Sequence, residues 1–468
     1  MNRFSLSALV AAGMLVSGLS AGSASAADLG GNCCADLEER IAELEATTAR
    51  KGNRKVSLTV SGWVAEQVMW WDDGVEDNVY VGGIGTTLAT NVKFTGQATI
   101  MPGFHAGYVI HTEMIDSDDL TWNANSAVGP AVYQALGGTT VGYNVQVIQA
   151  FWFIKSDHMG KISVGQQSQA SDNTAILVDG SGTLVPANWV AFNINSFAIR
   201  GNNTGLVWGG AQNCRGMGGA WGDCNGLTQE AIRYDSPTWG GFSVSASWGA
   251  DDFWDVAARY SGEHHGFKLA AAVAYNEVTD EFYNLAGGAG NGLLNNGSLT
   301  VRAPGGQGAP VTGCAAPPVG GAGCASPLHG GTQQYFQAGI FGMHVHSGLW
   351  GLFNYGYMDD DFTNLPEAKT YYFKAGLRRR MHPLGHTIFY GEYLKGDDGG
   401  ANIGVVDTMG GFSTSSDLKV WGLGVVQEID AAAMSMWLSY RHMEYDDNAQ
   451  FSQFEEMQFL KFGALINF

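Results

Sequence analysis

The chain has 468 residues, and its 44 acidic against 24 basic side chains give a net charge of -20, which argues against nucleic acid as a partner because phosphate binding needs a basic surface. Its 67 Gly and 12% aromatic content are unusual for an ordinary soluble enzyme. After the first 26 residues no run of about 18 or more apolar residues occurs, which excludes helical membrane spans and leaves a soluble exported protein or one that crosses a membrane as strands.

Residues 1–26 carry Arg3, the apolar run "LSALVAAGMLVSGLS" and the small-residue stretch "SAGSASA", the order of an export signal cleaved after Ala26. A lipoprotein reading through Cys33 fails, because Asn32 precedes it and the cleavage site lies upstream. Within 27–55, "CCADLEERIAELEATTARKGNRK" favours a helix in which Leu37, Ile41 and Leu44 follow the four-then-three spacing of a coiled-coil seam. Two heptads are too short to be stable alone, so a solvated, partly frayed helix is the alternative.

From residue 56 the dominant signal is period-two alternation. In "VSLTVSG" Val56, Leu58 and Val60 share one face and Ser57, Thr59 and Ser61 the other. The same pattern predicts strands over 56–71, 88–101, 104–116, 145–156, 160–168, 230–237, 241–250, 254–261, 266–277, 333–347, 348–359, 369–381, 385–397, 416–429, 432–445 and 455–468. Such lengths suit tilted membrane strands. Connections after even strands are tight, as in "PG" at 102–103 and "HPLG" at 382–385, whereas those after odd strands are mostly long, above all near 170–229 and 279–332. That alternation is what an up-and-down transmembrane β-barrel requires, with short turns on the periplasmic side.

Acidic clusters such as Asp72-Asp73, Asp397-Asp398 and Asp446-Asp447 follow odd strands and would therefore share one rim. Aromatic clusters such as Trp70-Trp71, Phe253-Trp254, Tyr371-Tyr372 and Tyr355 with Tyr357 fall where strands meet loops, as interfacial girdles do. Cys214 with Cys224, and Cys314 with Cys324, are each ten positions apart inside Gly-rich loops. They read as two local disulfides worth about 2 to 3 kcal/mol each, since the spacing of a zinc knuckle is missing. Cys33 and Cys34 are left over, with an interchain bridge as one outcome.

The stretch 33–74, together with the signal, the length and the final Phe468, resembles the general porins of alphaproteobacteria, the rhizobial and Brucella type. The resemblance implies a homotrimer of sixteen-stranded outer-membrane barrels that passes small hydrophilic solutes and ions, with the third long loop folded inward. It also implies that Phe468 is the terminal aromatic read by the barrel assembly machinery. On this reading 56–468 is the barrel and 169–230 the constriction loop, stiffened by Cys214 and Cys224. Outer-membrane lipid and lipopolysaccharide are then partners. The helix of 27–55 becomes a periplasmic trimer clasp or a stalk in contact with peptidoglycan.

Period two places Tyr372, Lys374, Arg378 and Arg380 on the inward face of their strand and Tyr371, Phe373, Ala375 and Leu377 toward lipid. Arg233, Arg259, Lys268 and Arg441 point inward by the same reading. With Asp172, Asp179 and Asp223 on the loop, a basic wall would oppose an acidic loop and set a field across the pore. The alternative is that these cations snorkel or pair with anions near the periplasmic rim. No G-x-S-x-G, H-E-x-x-H or phosphate-cradling Gly loop occurs, so no enzyme activity, cofactor or metal is expected. His344 with His346 and His264-His265 read as lumen and turn residues. A substrate-selective channel for sugar or anion uptake is the runner-up function.

Overall fold

The computed structural model describes residues 56–85, 88–114, 145–190, 194, 197–201, 208, 228–249, 253–281, 331–360, 367–399, 402–406, 412–413, 415–448 and 453–468. The export signal, the helix of 27–55, Asp223 and all six cysteines lie outside the described residues.

Sixteen antiparallel staves close into one barrel. They are β1 (Thr59–Asp72), β2 in two segments (Asp77–Gly82 and Asn91–Met101), β3 (Phe104–Met114), β4 (Val145–Ser156), β5 (Gly160–Gln167), β6 (Gln229–Asp235), β7 (Phe242–Gly249) and β8 (Trp254–His264). They continue as β9 (Phe267–Glu281), β10 (Gly331–His344), β11 (Leu349–Asp360), β12 (Ala368–His382), β13 (Gly385–Asp397), β14 (Ser416–Ile429), β15 (Met434–Asp447) and β16 (Met457–Asn467). β1 pairs with β16 from Trp63↔Asn467 to Asp72↔Gln458, which closes the ring. The expected alternation of tight and long connections holds, from Met101 to Phe104 at one end and from Gln167 to Gln229 at the other.

The segment Asp77–Gly82 is a difference from the sequence reading, which has no strand there. It zips onto the outer half of β1 from Asp72↔Asp77 to Gln67↔Gly82, while Asn91–Met101 pairs with the inner half. Between them side chains of β1 replace the ladder: Gln67 Nε2 donates to Gly83 O at 2.8 Å and Trp63 Nε1 to Leu88 O at 2.9 Å. The interruption breaks the period-two pattern, and so hides a strand that is too short to be read alone.

Alternation sorts the two faces cleanly. On β1 Val60, Val64 and Val68 are exposed on the outside, while Trp63, Ala65, Met69 and Trp71 are buried inside. The girdle expectation therefore holds for both Tyr355 and Tyr357 but for only one member of each adjacent pair: Trp71, Phe253 and Tyr372 are buried inside the barrel, not at its lipid face. Outward rings do meet across strands, Tyr355 with Tyr371 at 5.3 Å and Trp421 with Tyr440 at 5.4 Å. At the tight turn between β10 and β11, Gly348 has φ +73° and a Cβ there would stand 2.1 Å from Arg378 O, so only glycine fits under β12.

Leu423 is 55% exposed at the middle of β14, on the outward face. Replacing it with Arg is expected to destabilise the folded barrel by about 2 to 4 kcal/mol in urea titrations from lipid vesicles. An unchanged midpoint would show that this face does not meet hydrocarbon.

Candidate functional site

In the long connection between β5 and β6, residues 168–190 run inside the barrel as a second layer along its wall. Ala170 N donates to Ser247 Oγ of β7 at 3.0 Å, and Ser171 N to the Asp255 carboxylate of β8. Ala175 N reaches Gln337 Oε1 of β10 at 2.8 Å, and Ala175 O accepts from Asn354 Nδ2 of β11. Gly339 makes this approach workable, since a Cβ there would lie 2.2 Å from Ala175 O. Further along, Asn188 O accepts from Arg441 Nη2 of β15 at 2.8 Å. Arg200 then pairs with Asp73 at 2.6 Å and with Glu76, on the hairpin leaving β1.

The loop is able to lie there because its own sequence is apolar. Ile176, Val178, Leu184, Ala187, Trp189 and Val190 are buried in one cluster with Phe341, Trp350, Leu352, Ile388, Leu394 and Trp437 of the wall. Burying each Ile, Leu or Val contributes about 1.5 to 3 kcal/mol. Local hydrogen bonds give the loop a fixed shape: Asp179 Oδ1 accepts from Ser181 N at 2.9 Å, and Asn188 Oδ1 from Val190 N at 2.7 Å.

Its charges are met one by one from the wall. Lys374 Nζ of β12 donates to Asp179 Oδ2 and Ala187 O, both at 2.6 Å, with both side chains of the ion pair fully buried. Beside it, Tyr372 Oη donates to Glu392 Oε2 at 2.6 Å, and Arg441 holds the same carboxylate from Nε at 2.9 Å and Nη2 at 2.6 Å. Arg378 forks onto Glu428 at 2.8 and 2.9 Å. Arg259 donates to Thr174 Oγ1 at 2.9 Å and to Ala170 O, and Arg233 to Ser168 O at 2.9 Å and to Asp235. Asp172 is 8% exposed, and burial pushes its carboxyl up to about 6, with a hydrogen bond from Ser168 and the charge of Arg233 opposing the shift.

Lys374, Arg441, Arg233 and Arg259 thus occupy the inner wall under the loop, and Asp172 and Asp179 are turned into that wall instead of the open lumen. Arg380 stands apart: it is half exposed beside the turn to β13, paired with Asp430 and donating to Pro383 O at 3.2 Å. The last residue, Phe468, exchanges backbone hydrogen bonds with Gly62 at 3.1 Å, and its side chain is 57% exposed.

Opposite the loop, the inner face of β2 to β5 is only partly covered. Lys93, Thr95, Gln97, His105, Lys155 and Lys161 are all of intermediate exposure there. Sequence reading missed this sector, and it also missed Glu392, Glu428, Gln337 and Asn354 as loop anchors. A legible signal existed for Glu392, which falls between Tyr390 and Leu394 on the inward period of β13.

A profile of the Gram-negative porin family matches residues 6–448. The chain belongs to that family. It is a multi-pass outer-membrane channel for small hydrophilic solutes. Among solved structures, the anion-selective porin from Comamonas acidovorans is similar, with 12% identity and a TM-score of 0.51 over 88% of this chain and 100% of the other. OprB of Pseudomonas putida is similar at 10% identity, TM-score 0.50, over 92% and 97%. Identities this low show the fold alone. No curated protein sequence matches the chain.

Replacing Lys374 with Met leaves Asp179 charged and unpaired in a dry site, which is expected to cost about 3 to 5 kcal/mol and loosen the loop. Single-channel traces of K374M should show added conductance fluctuation that the double variant K374M/D179N largely removes. Traces as quiet as the parent's would mean that the pair does not hold the loop.

Proposed function

We propose that this porin conducts along a channel confined between the docked loop and the inner face of β2 to β5, and that the channel favours small anionic and polar solutes. The observation that carries the reading is the contrast between two sets of cations. The contrast is one of exposure: Lys374 and Arg441 are buried beneath the loop against Asp179, Glu392 and loop carbonyls, whereas Lys93, Lys155 and Lys161, the last paired with Asp235 at 3.1 Å, are of intermediate exposure along the facing sector. A narrow, low-dielectric passage amplifies the field of such residues on a passing ion.

In this reading the loop of 169–230 narrows the pore by filling the other half of the barrel, and Lys374, Arg378, Arg441, Arg233 and Arg259 act as its anchors more than as the filter. Arg380, at the turn, and Phe468, at the closing seam, stand outside the filter, and Phe468 serves barrel assembly. Family membership supports a homotrimer, and the likeness of 33–74 to the rhizobial and Brucella-type porins supports that branch of the family.

Planar-bilayer recordings of the unheated oligomer test this. Insertions should occur in three equal conductance steps, with a reversal potential on the anion side in a salt gradient. K93E/K155E should move that potential toward cations, whereas the rim variant R380Q leaves it in place. A parent channel that prefers cations, or a double variant with unaltered selectivity, would remove these lysines from the filter.

A further inference from the structure

We infer that His442, Glu444 and Glu456 form a binding site for a divalent d-block cation of the zinc class on the outer face of the barrel. The three residues stand at the rim that carries the long loops: His442 and Glu444 point outward from β15, and Glu456 immediately precedes β16. His442 Nε2 lies 3.4 Å from Glu444 Oε1 and 3.3 Å from Glu456 Oε2, and all three candidate ligand atoms fall within 4.8 Å of one another. Tetrahedral ligands about 2.0 to 2.1 Å from a zinc ion stand about 3.3 to 3.4 Å apart, so two of the three separations already match.

Charge points the same way. Among the described residues no Lys or Arg is ion-paired with either carboxylate, the nearest by register being the exposed Lys419 opposite Glu444, and the imidazole can supply at most one positive charge to two carboxylates. A neutral imidazole offers a single N–H at Nε2 for both acceptors, so the cluster has more acceptor than donor capacity. A dication at the centre answers both deficits. The second His-carboxylate cluster, His386 with Glu428 and Asp430, differs in this respect, because Arg378 and Arg380 already neutralise its acids.

The imidazole is also held in place. Its ring packs against Trp421 with centroids 5.3 Å apart, and the strand beside it is tied by Tyr440 Oη to Gln458 at 2.8 Å and by Gln458 Nε2 to Asp72 at 3.0 Å. One nitrogen with two carboxylates suits zinc, nickel or copper, whereas calcium and magnesium take oxygen ligands.

Zinc titration calorimetry and the visible spectrum of added cobalt, both on the intact detergent-solubilised oligomer, test the site. The parent should bind one zinc per protomer at this site, and cobalt should give a tetrahedral visible band that zinc removes. H442A and E456Q should each weaken zinc binding by at least about tenfold and abolish the band. Glu456 is exposed, so E456Q tests the site without disturbing the barrel. Retention of the parent's zinc affinity in both variants would overturn the assignment. So would equal competition by calcium, which would reduce the cluster to an acidic surface without the imidazole as ligand.

Discussion

Inside hydrocarbon every unpartnered backbone N–H or C=O costs several kcal/mol, and this one constraint governs the rest of the molecule. It forces the sheet to meet itself, which it does through ten consecutive residue pairs between β1 and β16. It also explains why the chain leaves the ladder only where protein encloses it. The break in β2 lies over β1, whose Gln67 and Trp63 side chains supply the donors that the ladder lacks.

A closed cylinder of sixteen staves has a wide interior, and this chain packs the described part of its own loop against the inner wall. The filling is a hydrophobic core in the ordinary sense, turned outside in: aliphatic residues of 176–190 pack on apolar side chains that face inward from β10 to β15. Buried ion pairs such as Lys374 with Asp179 add little net stability against an apolar substitute, yet their loss is costly. Their effect is on register, since each wall cation fits a particular carbonyl or carboxylate along the loop.

How much of this was legible follows from the range of each interaction. Strand positions are set by local alternation, and β4, β13 and β14 lie where the period placed them; the Asp77–Gly82 segment escaped because six residues beside a break carry too little pattern. Inward orientation of Lys374 and Arg441 was equally legible, since it follows from parity. What those cations meet was not, because Asp179 is 195 positions from Lys374 and Asn188 is 253 from Arg441, and parity says nothing about partners. The apolar character of "AILV" and "LVPANWV" within a supposed external loop was the one sequence signal that this segment seeks a dry surface.

The dryness of the Lys374–Asp179 pair has a consequence for the surroundings in which such a channel works. Screening by dissolved salt reaches only charges that ions can approach, over about 10 Å at 0.1 M and about 3 Å at 1 M. A pair with no exposed surface is beyond that reach, so the loop keeps its seat from fresh water to brine. The lysines across the lumen are part-exposed and so lie within reach of dissolved ions. On the proposed reading, the seat of the loop is thus independent of salinity while the field of the part-exposed lysines fades as salt rises, a division of labour fixed by which charges the fold leaves wet.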